Sequence, residues 1–274
     1  MIDDHEIDVE FKWDGMQTEP TVDEFLQAGA ETFPDKHRIP RSEWDDRIRE
    51  HEKHHSSADY FSDRFTEQLD SHECVCHAAS QLFLCAYNRQ LGGTQNSVWP
   101  SPLSLYTRNT NGKQWGGSNV LDSLRELVSN GFLPENDGPE WLGGKGGQQQ
   151  RFKHTVKQTS GENPRQDWIK PSDLPDGWQD TARHFRVLEW YTIPDAEAFA
   201  SAILNGWGVS NGRQGHSIPH LSIVKDGKNY LSRYKDSYNV FRFDSERLWN
   251  NGGFCIRSVT MPDDPTKPAG GDMK

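Results

Sequence analysis

The sequence contains no apolar run approaching the roughly 18 residues that a membrane-spanning helix needs. Its first thirty residues are acidic, whereas a signal peptide begins with basic residues followed by an apolar stretch. Basic residues are outnumbered, with 30 Lys and Arg against 41 Asp and Glu, and they form no long cluster. These absences argue against a membrane protein and against binding to the nucleic-acid backbone. We therefore expect a cytoplasmic protein with neither membrane nor nucleic acid as a partner.

Cysteine is scarce, with four residues in a chain of 274, and two of the four are separated by a single residue. This is not the pattern of a small secreted domain held together by disulfides. Apolar residues make up 33% of the chain, which is low for a globular protein but sufficient for a core. The 24 glycines and 15 prolines are spread along the chain without a period, which indicates many turns.

Hydrophobic periodicity divides the chain into a helical first half and a strand-rich second half. The most apolar helix pattern begins near Ser71 and ends at Gly92-Gly93, and a second runs from Ser118 to about Asn130. Beyond a loop-rich insertion at residues 134–180, strands are predicted at Phe185–Thr192, His216–Val224, Asn229–Tyr234, Phe241–Phe243 and Gly253–Val259, with a helix at Ala196–Leu204. Helices followed by a mostly antiparallel sheet predict an α+β fold.

The two ends differ in composition from the middle of the chain. Residues 1–38 are acidic, with one short helix predicted around Thr21–Thr32, and residues 263–274 form a polar tail. We expect residues 39–262 to form the main domain. The N-terminal segment is predicted to be an arm that binds a protein partner or a second copy of the chain, because acidic residues gain little by lying on an acidic body.

Two histidine-rich segments resemble metal sites. Residues 51–55 match the zinc-protease pattern HExxH, but their neighbours are nearly all charged, which favours a solvated helix. Between residues 72 and 77, Cys74 and Cys76 have one residue between them, whereas paired zinc ligands usually have two to four. No second Cys/His pair completes four ligands. We expect no metal and no cofactor, and a zinc protein is kept as a minor alternative.

Cys74 lies near the predicted start of the most apolar helix, where the helix dipole and the backbone N–H groups favour a thiolate. Thiolate chemistry also needs a histidine that takes the proton and a polar group that orients its ring. His216 begins one strand of a predicted hairpin and Asp236 follows the other, so strand pairing would bring the two residues together.

Segments in the same order along about 220 residues resemble the papain-like cysteine peptidases. The matching segments are Ile39–Arg47, Gln68 six residues before Cys74, Cys74–Ala78, Trp115-Gly116-Gly117, Gly131–Glu135, Gly215-His216-Ser217-Ile218, Asp236–Asn239 and Gly253–Arg257. The resemblance implies a papain-like α+β fold with a helical first half, a twisted antiparallel sheet or barrel in the second half, and an active cleft between them. In this family an N-terminal segment commonly covers the cleft, but residues 1–38 are short and acidic, so we expect them to leave it open.

The resemblance implies a role for each matched residue. Cys74 is the nucleophile, His216 moves the proton, Asp236 orients the imidazole, Gln68 binds the oxyanion, and the substrate lies against Gly116, Gly117 and Tyr238. The nucleophile has an alternative, because the segment from Cys76 to Ser80 also fits the start of the family's helix.

The implied function is thiol-dependent hydrolysis of a peptide bond in a peptide or protein substrate. Asp236 stands where the family has asparagine, and Tyr238 stands where it has tryptophan. These departures support a second hypothesis, a catalytically weak or inactive papain-like domain that serves as a structural or binding subunit of a larger assembly, such as a virion or another multi-protein particle. Both hypotheses stay open at the level of the sequence.

Overall fold

The computed structural model describes residues 20–54, 72–91, 100–110, 117–134, 174, 177–213, 215–235, 237, 241–249 and 252–260, without the side chains of residues 51–54. Its α-helices are α1 (Val22–Gln27), α2 (Trp44–His54), α3 (Cys74–Leu91), α4 (Pro102–Thr110), α5 (Val120–Ser129), α6 (Trp178–Ala182) and α7 (Ala196–Leu204). Its strands are β1 (Glu31–Thr32), β2 (Val187–Thr192), β3 (Val209–Arg213), β4 (His216–Asp226), β5 (Asn229–Lys235), β6 (Phe241–Ser245) and β7 (Phe254–Val259). None of these helices is long and apolar enough to cross a bilayer.

The strands form one sheet in the order β1-β2-β7-β3-β4-β5-β6. Neighbouring strands are antiparallel, except that β1 runs parallel to β2. Helices dominate the first half of the chain and the sheet dominates the second, so the predicted α+β class is confirmed. The hairpin of β4 and β5 also follows the prediction, with Asp226 paired to Asn229 across a turn that contains Gly227 at φ +60°.

The central element of the fold is α3, as the apolar pattern predicts. All of its residues from Cys74 to Asn88 are buried. The helix packs against α4 and α5 on one side and against β3, β4 and β7 on the other. A helix that is covered on every side has to be apolar nearly all round, which explains why its sequence carries so few charged residues.

Two apolar clusters lie on opposite faces of the sheet. Successive residues of a strand point to opposite faces, and along β7 the side chains of Phe254 and Ile256 belong to the first cluster whereas Cys255 belongs to the second. The first cluster contains α3 and α5. The second contains α7, Trp44 of α2 and Trp249.

The N-terminal segment packs on the domain instead of extending from it. Phe25 of α1 is 2% exposed and contacts the rings of Trp190 and Phe254 in the first cluster. Phe33 is 1% exposed and contacts Trp207 in the second cluster. The expectation of an arm directed away from the body is therefore wrong for residues 20–38, because two buried aromatic rings outweigh the acidic character of the segment. Residues 1–19 lie outside the described residues.

Three elements differ from the sequence-based expectation. The short N-terminal helix ends at Gln27, because residues 31 and 32 form a strand that pairs with β2. Helix α4 forms where a loop is predicted, and all but two of its residues are buried although its sequence is polar. Strand β3 has no alternating pattern, and it forms because β4 and β7 pair with it on both sides.

Two glycines with positive φ allow a matched test of packing. Gly131 follows α5 in a packed region, and Gly29, which follows α1, serves as the unpacked control. An added Cβ at Gly131 (φ +83°) would collide with the carbonyl oxygens of Ala182 and Phe185, whereas at Gly29 (φ +94°) it would meet no atom within 4 Å. We expect Gly29→Ala to lower the free energy of unfolding by about 1 kcal/mol, the cost of the left-handed backbone. Gly131→Ala should lose about 2 kcal/mol more from overpacking. Urea unfolding measures both, and equal losses would contradict the expectation.

Candidate active site

Cys74 is the first residue of α3 and is fully buried in the first apolar cluster. The first turn of a helix has backbone N–H groups without intrahelical partners, and these groups stabilise a nearby negative charge. Glu73, just before the helix, is also fully buried, and its Oε2 lies 3.7 Å from His77 Nε2. The start of α3 is therefore a polar region enclosed by apolar packing.

Cys76 lies two residues further along α3, in a different environment. Its Sγ is 3.5 Å from Ser118 Oγ, in the segment that leads into α5. Burial raises the pKa of the Cys76 thiol to about 12, although hydrogen bonds from Ser118 and Ser123 oppose this rise. A thiol with this pKa stays protonated at neutral pH, which argues against Cys76 as the nucleophile.

His216 is the first residue of β4 and is fully buried. It follows Gly215, whose φ of +81° allows the chain to turn back from β3 within two residues. In the antiparallel ladder His216 lies directly opposite Arg213. Because α3 packs against β4, the helix that begins with Cys74 and the strand that begins with His216 are in contact.

A small cavity lies beside Ser217, the residue that follows His216 in β4. Its walls come from the N-terminal segment, α5, the β3–β4 hairpin and the start of β7, through Pro20, Phe25, Val120, Ser210, Asn211, Gly212, Ser217, Gly252, Gly253 and Phe254. Ser210 Oγ and Ser217 Oγ are hydrogen-bonded at 3.0 Å, which places a pair of hydroxyl groups in this wall. Pro20 and Phe25 line this cavity. The expectation that the N-terminal segment leaves the cleft open stays a prediction, because Gln68 and Gly116 lie outside the described residues.

Several predicted site residues lie outside the described residues, namely Gln68, Gly116, Asp236 and Tyr238. Their roles stay predictions. Gly117 is described, is buried, and has a φ of +62°, a conformation that glycine adopts at little cost. The side chains of the HExxH match at residues 51–55 are not described, and within the described residues no three His, Cys, Asp or Glu side chains are grouped as metal ligands.

Sequence reasoning missed the contribution of the N-terminal segment and of β3 to the cavity. Phe25 belongs to a helix of only six residues, and no sequence signal indicates which surface that helix covers. Ser210 lies in a strand without alternation. Ser217 could have been found from the sequence, because it follows His216 in the predicted strand.

The sequence matches no protein-family model and no curated protein. Solved structures do resemble the chain. Procathepsin B S9 from Trypanosoma congolense superposes with a TM-score of 0.54 at 10% identity, over 90% of this chain and 86% of that one. A structure from a study of the mite allergens Blo t 1 and Der p 1 has a TM-score of 0.50 at 12% identity, over 91% of this chain and 80% of that one. The chain therefore has the fold of the papain-like cysteine proteases.

The four cysteines are expected to differ in reactivity. Burial raises the pKa values of Cys76, Cys85 and Cys255 to about 12 each. In the native protein at pH 7.5, iodoacetamide should modify Cys74 before these three, and mass spectrometry of tryptic peptides identifies the modified residue. In denaturant all four should react at similar rates, which serves as the control. Modification of Cys76 first would identify it as the nucleophile instead.

Proposed function

We propose that this protein is a thiol-dependent peptidase whose nucleophile is Cys74. The observation that carries the proposal is the contact between α3 and β4, since the helix begins with Cys74 and the strand begins with His216. A cysteine at a helix N-terminus and a histidine on a neighbouring element are the two groups that thiolate catalysis requires. The papain-like fold supports the same assignment.

In the proposed mechanism His216 takes the proton of Cys74, and the thiolate attacks the carbonyl carbon of a peptide bond. His216 then gives the proton to the amine that leaves, and a water molecule hydrolyses the acyl-enzyme. Asp236 orients the imidazole, and Gln68 together with the Cys74 backbone N–H binds the oxyanion. Gly116 and Gly117 allow an extended substrate backbone to approach closely.

A peptidyl epoxide or vinyl sulfone tests the proposal, because both react with an activated thiolate and not with a buried neutral thiol. The native protein should be labelled stoichiometrically at Cys74. Labelling should disappear in Cys74→Ala and persist in Cys76→Ala, which is the matched control. In His216→Ala the rate should fall by about 10²–10⁴, the usual contribution of a general base. Absence of labelling in the native protein, measured by intact mass, would contradict the proposal.

One observation favours the second candidate, a papain-like domain that acts in binding or as a subunit without catalysis. Cys74 and His216 are both fully buried, and Phe25 of the N-terminal segment packs in the same apolar cluster as Cys74. If this packing is permanent, no substrate reaches the cysteine. If it opens, the N-terminal segment controls access to a competent site.

Replacement of Phe25 separates these two cases. Phe25→Ala removes a ring from the cavity wall, whereas Phe33→Ala removes an equally buried ring of the same segment from the second cluster. Both variants should lose about 3–5 kcal/mol of stability, the usual cost of such a truncation. Only Phe25→Ala should increase the rate at which the peptidyl probe labels Cys74. Equal rates in the two variants would mean that Phe25 does not control access.

A further inference from the structure

A buried network of hydrogen bonds surrounds the imidazole of His220 on β4. His220 is fully buried, and its Nε2 lies 2.8 Å from the amide oxygen Oδ1 of Asn211 on β3. The amide nitrogen of Asn211 donates to the carbonyl oxygen of Leu248 at 3.3 Å, which sets the orientation of the amide group. Because an amide oxygen only accepts hydrogen bonds, Nε2 carries the ring proton in this arrangement.

The other ring nitrogen of His220, Nδ1, accepts a hydrogen bond from a hydroxyl group. Ser232 Oγ on β5 is fully buried and lies 3.0 Å from Nδ1. The same oxygen accepts the indole N–H of Trp249 at 2.9 Å. Ser232 has a second acceptor within reach, since the backbone oxygen of Asp244 lies 3.4 Å from Oγ. A hydroxyl group has one hydrogen to donate, so Ser232 donates either to His220 or to Asp244.

Asp244 on β6 places a buried carboxylate against His220. One carboxylate oxygen, Oδ1, contacts the guanidinium group of Arg213, and both side chains are buried. The second oxygen, Oδ2, lies 3.9 Å from His220 Nε2 and has no hydrogen-bond partner in the described part of the chain. A charged oxygen that is buried without a partner is unfavourable, and a proton on it would remove the charge and supply a donor.

We propose that Asp244, His220 and Ser232 form a buried proton-binding site, in which uptake of one proton neutralises Asp244 and moves the ring proton of His220 from Nε2 to Nδ1. The incoming proton forms the N–H bond at Nδ1. The N–H bond at Nε2 breaks, and its proton forms the O–H bond at Asp244 Oδ2. The imidazole is neutral before and after the exchange. The site goes beyond the proposed function, and no step of the exchange involves Cys74 or His216.

The protonated arrangement gives the groups of the site new partners through small movements. Asp244 Oδ2 donates to His220 Nε2 once the two atoms approach by about 1 Å, to hydrogen-bond distance. Nδ1–H then donates to Ser232 Oγ, which continues to accept from Trp249 and turns its own hydrogen to the backbone oxygen of Asp244. Asn211 Oδ1 gives up its donor, and this loss opposes the exchange.

The pKa values of the two titratable groups agree with this exchange. Burial raises the pKa of Asp244 to about 6, although the charge of Arg213 opposes the rise. Burial, together with the charge of Arg213, lowers the pKa of His220 to about 3. Between these two values Asp244 binds the added proton in preference to His220, so the imidazole stays neutral. Uptake therefore occurs as the pH falls through about 6.

The elements packed around Asp244 and His220 carry other titratable or charged groups. The ring of Tyr234 on β5 has its centroid 5.3 Å from that of His220. The remaining described groups are Asp45 and Arg49 on α2, Glu73, Cys74 and His77 on α3, Glu197 on α7, Arg213 on β3, His216 and Lys225 on β4, Tyr230, Arg233 and Lys235 on β5, Arg242 on β6, and Glu246 and Arg247 after β6. The test variants leave all of these residues in place.

NMR of the native protein tests the proposal without any substitution. In protein labelled with ¹⁵N-histidine, the two ring nitrogens have different shifts with and without a proton. The His220 ring is assigned by its contacts with the rings of Phe199 and Tyr234, whose centroids lie 5.0 and 5.3 Å away. We expect the proton on Nε2 at pH 8 and on Nδ1 at pH 5, with a midpoint near pH 6. The same tautomer at both pH values, or protons on both nitrogens at pH 5, would overturn the proposal.

Asp244→Asn separates the carboxylate from every other group, because an amide takes up no proton in this range. The amide oxygen has to face the guanidinium of Arg213, so the amide NH₂ faces His220 as the protonated carboxyl group does. His220 should then carry its proton on Nδ1 at both pH values. A tautomer that still changes with pH in Asp244→Asn would mean that another group binds the proton, against the proposal.

Glu189→Gln is the matched control, because it removes the acid of another ion pair, Glu189 with Arg257, which joins β2 to β7. The change of tautomer near pH 6 should persist in this variant. Its loss there would contradict the assignment of the proton to Asp244. If Asp244→Asn does not fold, the titration of the native protein and this control decide the question.

Thermal unfolding gives a second readout, whose sign follows from the ordinary pKa of aspartate, 3.8. The folded protein binds the proton of Asp244 more tightly than the unfolded chain does. This contribution to stability is therefore fully present below about pH 4 and is lost as the pH rises through about 6. The Tm of the native protein minus that of Asp244→Asn should rise between pH 7 and pH 4.5. A constant difference would count against proton uptake at Asp244.

Discussion

The burial of α3 is the constraint on which the rest of the structure depends. The helix has no solvent-exposed face over four turns, so α4, α5 and three strands of the sheet have to be in place around it. The same burial brings the helix that begins with Cys74 against the strand that begins with His216. Packing and the candidate chemistry are therefore set by one contact, and a change that moves α3 alters both.

The N-terminal segment contacts both apolar clusters, so it affects both stability and the cavity. Phe25 completes the cluster around α3, whereas Phe33 completes the cluster around α7. A segment with rings in both clusters contributes to the stability of the domain as well as to the wall of the cavity. The shape of the cavity and the stability of the fold are therefore coupled, because the Phe25 side chain that lines the cavity is also part of the core.

Burial of charged side chains inside the sheet costs hydration free energy. A buried pair such as Arg213 and Asp244 loses much of its hydration, and apolar side chains of similar volume would often be as stable. The pair instead joins β3 to β6 across two intervening strands, and the hydrogen bonds of His220 hold the strands between them. Such a network joins strands that are not neighbours in the sheet.

The sequence by itself determined the elements with a strong local signal. Periodicity and turn residues predict α3, α5, α7 and the β4–β5 hairpin, because each of these repeats an apolar pattern over its own length. The order of short motifs also indicates the papain-like fold and the pair Cys74 and His216. Only the tertiary structure decided that α4 and β3 form. It also decided that Phe25 lines the cavity and that Arg213 forms an ion pair with Asp244. Each of these depends on contacts between residues far apart in the chain, whose free energy no local pattern contains.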